Sequence, residues 1–139
     1  MTRMPAPREV FDRMRRGWFG NTEFDGDLLA EDAVIEAPFA PPGRPGRIEG
    51  RAEFLAFVAR ERAALPPMRL DEVRNVVVHE TTDPEVIVVE YEIAGTLTAT
   101  GRQAAAAFIG VLRARDGKVA HWREYQNTLA IAEALGQLP

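Results

Sequence analysis

The chain has 139 residues, of which 46% are hydrophobic and 27% charged, and its net charge at pH 7 is −4. These values predict one globular domain over residues 1–139, and the acidic balance disfavours a nucleic acid partner, which needs a concentrated basic surface. The absence of cysteine excludes disulfides and thiol catalysis. Since we find no apolar leader and no apolar run of about 20 residues, we expect a cytoplasmic protein without membrane contact.

The N-terminal part of the chain predicts two helices. The first covers Pro7–Trp18, because apolar residues recur there at helical spacing and Pro7 suits a first turn. The second is shorter and covers residues 22–30. The apolar stripe of the first helix consists of Val10, Phe11, Met14 and Trp18.

A short strand, a proline-rich loop and a third helix follow. The strand is expected over residues 33–37, and four prolines and two glycines over residues 38–47 predict a loop. The third helix is expected over residues 51–65, where Pro66 ends it. Three residues on its apolar side are expected to line a pocket: Phe54, Phe57 and Val58.

The second half of the chain predicts an antiparallel meander of four strands. A helix is expected to follow, with Asn127 as its cap. Helices that precede a meander are typical of an α+β fold in which the helices pack on one face of the sheet. The predicted strands cover residues 68–81, 86–99, 103–115 and 118–126.

The turn Asp116-Gly117 predicts which residues of the last two strands share a face. This dipeptide is a strong signal for a two-residue hairpin, because both positions accept a positive φ. Regular pairing across the hairpin places Val111 opposite Trp122 and Ile109 opposite Glu124. We therefore expect these four residues to face one pocket.

The sequence does not decide between two alternatives for each of two features of this pocket face. The run Ala104–Ala107, of which Ala107 is expected on the pocket face, either leaves room for a ligand or allows a close contact with a helix or a second copy. The preceding strand presents either Tyr91 and Ile93 or Glu90 and Glu92 to the pocket. We favour Tyr91 and Ile93, because two further buried carboxylates would be costly.

Glu124 is the best candidate for chemistry. It shares a face with Trp122, and a carboxyl group held against apolar surface has a raised pKa, as a general acid or base near neutral pH requires. The alternative is a structural carboxylate that pairs with an arginine. The histidines, His79 and His121, lack the spacing of a metal site, and His121 alternates away from Glu124. We expect neither a metal nor a cofactor.

The segment Gly117–Tyr125, with the helix after it, resembles the nuclear transport factor 2-like superfamily, which includes the SnoaL-like and ketosteroid-isomerase-like proteins. Residues 122–127 and Ala134–Gly136 are similar to the phenazine biosynthesis A/B proteins. The resemblance implies a curved antiparallel sheet that forms a cone-shaped pocket with the helices. It also implies a homodimer through the outer face of the sheet. Because this fold hosts many chemistries, the resemblance alone does not define the reaction.

Departures from these relatives narrow the chemistry. Ala37 stands where a ketosteroid isomerase carries its general base, and Phe57 stands where the phenazine proteins carry a histidine. Tyr91 and Ile93 stand where limonene-epoxide hydrolase carries an arginine and an aspartate. The resemblance therefore disfavours ketosteroid isomerisation and that mechanism of epoxide hydrolysis.

These patterns together predict a cofactor-independent enzyme that moves a proton on a hydrophobic metabolite with a carbonyl group. Glu124 would be the general acid or base, and Tyr91 would donate a hydrogen bond. The alternative is a non-catalytic binding protein for a small hydrophobic metabolite; a weaker one is an interaction module with a filled pocket. The expected pocket lining is Trp18, Phe54, Phe57, Val58, Ile93, Ala107, Ile109, Val111 and Trp122.

Overall fold

The structure is a computed structural model that describes residues 5–18 and 26–136. Its α-helices are α1 (Pro7–Gly17), α2 (Arg51–Ala64) and α3 (Thr128–Ala134), and a 3₁₀ turn covers Gly26–Leu28. Its strands are β1 (Leu29–Glu36), β2 (Arg47–Glu49), β3 (Met68–Glu80), β4 (Val86–Leu97), β5 (Arg102–Arg115) and β6 (Lys118–Gln126). The α+β class is as predicted. None of the described helices is both long and apolar enough to cross a membrane.

The strands form one mixed sheet in the order β2-β1-β6-β5-β4-β3. Strands β3 to β6 form the predicted meander, but β1 pairs with β6 in parallel, so the sheet is not wholly antiparallel. Register shifts in the β3–β4, β5–β6 and β1–β6 pairs mark bulges, which bend a sheet.

The predicted second helix over residues 22–30 is wrong where the structure describes it. Residues 22–25 lie outside the described residues, Gly26–Leu28 form a 3₁₀ turn, and Leu29 and Ala30 already belong to β1. The reason is tertiary: the backbone of β1 pairs with β6, and Leu29 is buried in the core.

Helix α1 covers one face of the sheet, which we call the inner face. Val10, Phe11 and Met14 are buried, as the helical stripe predicts. They belong to the same core as Tyr91 of β4 and Trp122 of β6. The outer face is the opposite side of the sheet.

The last hairpin begins as predicted. Asp116 and Gly117 have φ angles of 55° and 74°, and Arg115 pairs with Lys118. The register then shifts between Arg113 and Ala114, because β6 carries one more residue than β5 at this point.

This bulge changes which residues share a face with Glu124. Glu124 pairs with Gly110, and the partner of Trp122 is Leu112 rather than Val111. Since side chains alternate along a strand, three residues expected in the pocket lie on the outer face instead. The prediction is therefore wrong for Ala107, Ile109 and Val111.

Strand β4 presents Tyr91 and Ile93 to the inner face, as we favoured. Tyr91 is 2% exposed, and Ile93 packs against the core. Glu90 and Glu92 lie on the outer face, where they bond to His79 and Arg74 respectively. The open choice at the sequence level is thereby settled.

Gly110 packs directly against the Trp122 ring on the inner face. The Trp122 ring lies across it, so that a Cβ atom at position 110 would be only 2.0 Å from Cη2 of Trp122. Glycine is thus required here by space rather than by φ.

We predict that Gly110→Ala destabilises the protein by about 1–3 kcal/mol or more, because the methyl group overlaps a buried ring. Urea unfolding measures the change. The control is Gly17→Ala, whose added Cβ would have no atom within 4 Å. If Gly110→Ala matched the wild type in stability, the packing of Trp122 on Gly110 would be refuted.

Candidate active site

Glu124 and Tyr91 form a hydrogen bond on the inner face. The Tyr91 hydroxyl donates to Oε2 of Glu124 at 2.5 Å. The two residues come from β6 and β4, which lie on either side of β5. Gly110 of β5 pairs with Glu124 and adds no side chain between them. The bond therefore depends on the register that the bulge sets.

Burial raises the pKa of Glu124 above its ordinary value, and hydrogen bonds from Tyr91 and Trp122 oppose this rise. The residue as a whole is half-buried: its carboxyl group is buried, and another part of its surface stays accessible to solvent. Among the described residues no arginine or lysine forms an ion pair with Glu124. Within this described part of the chain, Glu124 is therefore not held in a structural ion pair.

Tyr91 is a hydrogen-bond donor in this pair. Its pKa lies well above the usual value, first because of burial and then because of the nearby Glu124 carboxylate. The hydroxyl therefore keeps its proton at neutral pH and can donate to a carboxylate or to a ligand oxygen.

An aromatic cluster surrounds Tyr91. Its ring centroid lies 5.4 Å from that of Phe108, 5.5 Å from Trp18 and 5.8 Å from Phe11. Trp122 adds a fifth ring, 6.3 Å from Tyr91. Trp18 and Trp122 are where the sequence places them, whereas Phe108 was missed because regular hairpin pairing puts it on the other face.

Three residues of α2 were predicted to line the pocket, namely Phe54, Phe57 and Val58. This helix packs mainly against β1 and β2. Phe54 packs on the core, and its ring centroid is 6.5 Å from that of Phe57. Phe57 and Val58 are half-buried. None of the described contacts brings Phe57 or Val58 to Glu124, so their place in the pocket stays a prediction.

Both histidines pair with carboxylates away from Glu124. His121 of β6 bonds to Glu36 of β1 at 2.5 Å, and this bond is the main reason why the pKa of Glu36 is lowered. His79 bonds to Glu90 at 2.6 Å. These partners come from other strands, so sequence spacing does not reveal them. Over residues 5–18 and 26–136, no three His, Asp or Glu residues converge as metal ligands do.

The described surface carries two grooves, one of which is lined in part by Tyr91. One, of about 510 Å³, runs beside the start of α1 and the β3–β4 turn. The other, of about 420 Å³, lies around Ala107 and Ile109, and Tyr91, Phe108 and Gln126 also line it. Glu124 lines neither groove. We still place the candidate site at Glu124, because the titratable pair is there and a groove alone carries no chemistry.

The SnoaL-like domain family matches residues 8–122. The chain belongs to this family. An uncharacterized PhzA/B-like protein of Pseudomonas aeruginosa is 35% identical over 121 residues, which cover 87% of this chain and 78% of that protein.

Two solved structures extend the comparison. A candidate isomerase from Bacillus subtilis has a TM-score of 0.79 at 26% identity, with coverage of 96% of this chain and 98% of its own. A candidate polyketide cyclase from Pseudomonas putida has a TM-score of 0.72 at 19% identity, with coverage of 94% and 98%. The second likeness shows the fold alone.

Proposed function

We propose that this SnoaL-like protein catalyses proton transfer on a small hydrophobic molecule that carries a carbonyl group. The proposal depends on one observation: the Glu124 carboxyl group is buried among aromatic rings with a raised pKa and a tyrosine hydroxyl 2.5 Å away. The name of one similar protein, a candidate isomerase at 26% identity, supports this class of reaction. The proposed chemistry requires no cofactor.

The proposed step begins when the Glu124 carboxylate takes a proton from the carbon next to the substrate carbonyl. The electron pair of that C–H bond moves toward the carbonyl oxygen and forms an enolate, to which Tyr91 can donate a hydrogen bond. In an isomerisation, protonated Glu124 returns the proton to another carbon. In a cyclisation, the enolate carbon attacks a second carbonyl of the same molecule, and the proton from Glu124 goes to the new alkoxide.

A second candidate function is a binding protein without catalysis. The rings around Tyr91 are already in contact, with centroids 5.4–5.8 Å apart, so neither function has a preformed space between them. A ligand must then displace a ring or approach from the accessible side of Glu124. Both functions require binding at this face, so only turnover separates them.

We predict that the wild-type protein accelerates deuterium exchange at the carbons next to the carbonyl of 2-tetralone, a flat bicyclic ketone. Glu124→Gln keeps the shape and the hydrogen bond but cannot accept the proton, so exchange should fall by about 10²–10⁴-fold. NMR measures the exchange in D₂O. The control is Glu133→Gln, an exposed residue of α3, which should exchange as the wild type does.

Exchange no faster than in buffer, with 2-tetralone bound, would contradict the enzymatic proposal. It would leave the binding function in place. Exchange that is fast in both the wild type and Glu124→Gln would assign the proton transfer to a group other than Glu124.

We also propose that the protein forms a homodimer through the outer face of the sheet. Ile109 and Val77 are 43% and 47% exposed there, and Ala107 lies beside them. Two polar pairs flank this apolar centre, namely the ion pair of Glu92 with Arg74 and the hydrogen-bonded pair of Glu90 with His79. An apolar centre with a polar margin is typical of protein interfaces.

We predict a dimer at micromolar concentration by light scattering. Ile109→Glu should shift the protein to the monomer, because it buries an unpaired charge in the interface. Leu129→Glu, on α3 and 67% exposed, should leave the dimer intact. A monomeric wild type would overturn this proposal.

A further inference from the structure

Gln126 occupies the inner face two residues beyond Glu124. It is the last residue of β6 and pairs with Phe108, whose ring stacks on Tyr91. Alternation along β6 therefore places Gln126 on the same side as Trp122 and Glu124. Glu124 and Gln126 are two residues apart along β6, which corresponds to about 6.5 Å. A molecule with two fused rings is therefore long enough to contact both side chains.

The side-chain amide of Gln126 has no hydrogen-bond partner among the described residues. Its backbone carbonyl accepts a bond from Thr128, but no described contact involves the amide group. The residue is half-buried, and its polar atoms are not among those sealed from solvent without a partner. The amide is thus available to a ligand, toward which it can donate and accept.

The inner face beside Gln126 carries small side chains. Ala106 pairs with Ile93 and Ala104 pairs with Gly95, and alternation places Ala104 and Ala106 on the inner side. The small residues of the alanine run on this face are thus Ala104 and Ala106 rather than Ala107, and α3 contacts β5. Small side chains at these positions take up little of the space next to Gln126.

We infer that Gln126 is a specificity-determining residue that binds a second polar group of the substrate. This inference rests on the proposed function of Glu124. The substrate class is a neutral, flat, ring-bearing ketone with a hydroxyl or a second carbonyl at the end remote from its reacting carbon. A ligand without that oxygen leaves the amide to solvent and loses about one hydrogen bond.

The test compares the binding of 2-tetralone with that of 6-hydroxy-2-tetralone, which adds one oxygen at the remote end. Quenching of the tryptophan fluorescence reports binding, since Trp18 and Trp122 lie in the site. We expect the wild type to bind the hydroxylated ketone about 2- to 10-fold more tightly, the range of one net hydrogen bond. Gln126→Leu should abolish this preference and keep its affinity for 2-tetralone.

Matched variants separate the role of the amide from effects of shape. Gln126→Met keeps the length of the side chain and should lose the preference as the leucine variant does. Gln103→Leu changes an exposed glutamine of β5 that pairs with Thr96, and should keep the preference. Circular dichroism confirms that each variant is folded.

Equal affinity of the wild type for both ketones, absence of binding of both, or a preference that survives in Gln126→Leu would each overturn the inference. Deuterium exchange on the same samples tests the proposed function independently. A preference that depends on Gln126, without exchange by the wild type, would support the role of Gln126 in binding and contradict catalysis by Glu124. Exchange that requires Glu124, without a preference for the hydroxylated ketone, would support catalysis by Glu124 and contradict the role of Gln126 in binding.

Discussion

The bulge between β5 and β6 determines which side chains share the inner face with Glu124. Because β6 carries one extra residue there, Gly110 rather than Ile109 pairs with Glu124. A side chain at position 110 would overlap the Trp122 ring, and glycine leaves that space to the ring. The same register allows the Tyr91 hydroxyl to reach Glu124 from the other side of β5. Packing and the candidate chemistry thus have one structural origin.

The buried carboxyl group has a cost in stability. A native pKa above the unfolded value means that the native state holds the proton more tightly. The associated stability is fully present below the unfolded pKa and is lost as the pH rises through the native pKa. Glu36 has the opposite effect on the pH dependence of stability. Its bond to His121 lowers its pKa, so its stabilisation is present above the usual pKa of a carboxyl group and is lost as the pH falls through the native pKa. A fold that keeps Glu124 despite this cost is consistent with a function for that residue.

Sequence patterns were sufficient for α1, for α2 and for the four strands of the meander, because their periodicities and turn residues are local signals. They also identified Glu124, Tyr91 and Trp122 as neighbours. They missed the bulge, since a hairpin signal sets the register only next to its turn, and this error moved Ile109 into the pocket and Phe108 out of it. The parallel pairing of β1 with β6 was also missed, because it joins distant segments without a turn between them.

The central claim is that Glu124 is a buried carboxyl group whose environment disfavours its charge. Carbon-13 NMR titration of the glutamate side chains, with Glu124→Gln to assign the signal, measures its pKa directly. We predict a value above the ordinary one of about 4.3 for glutamate, and a further rise in Tyr91→Phe, because the Tyr91 hydroxyl bonds to the carboxylate and opposes the effect of burial. A wild-type pKa at or below about 4.3 would contradict the account.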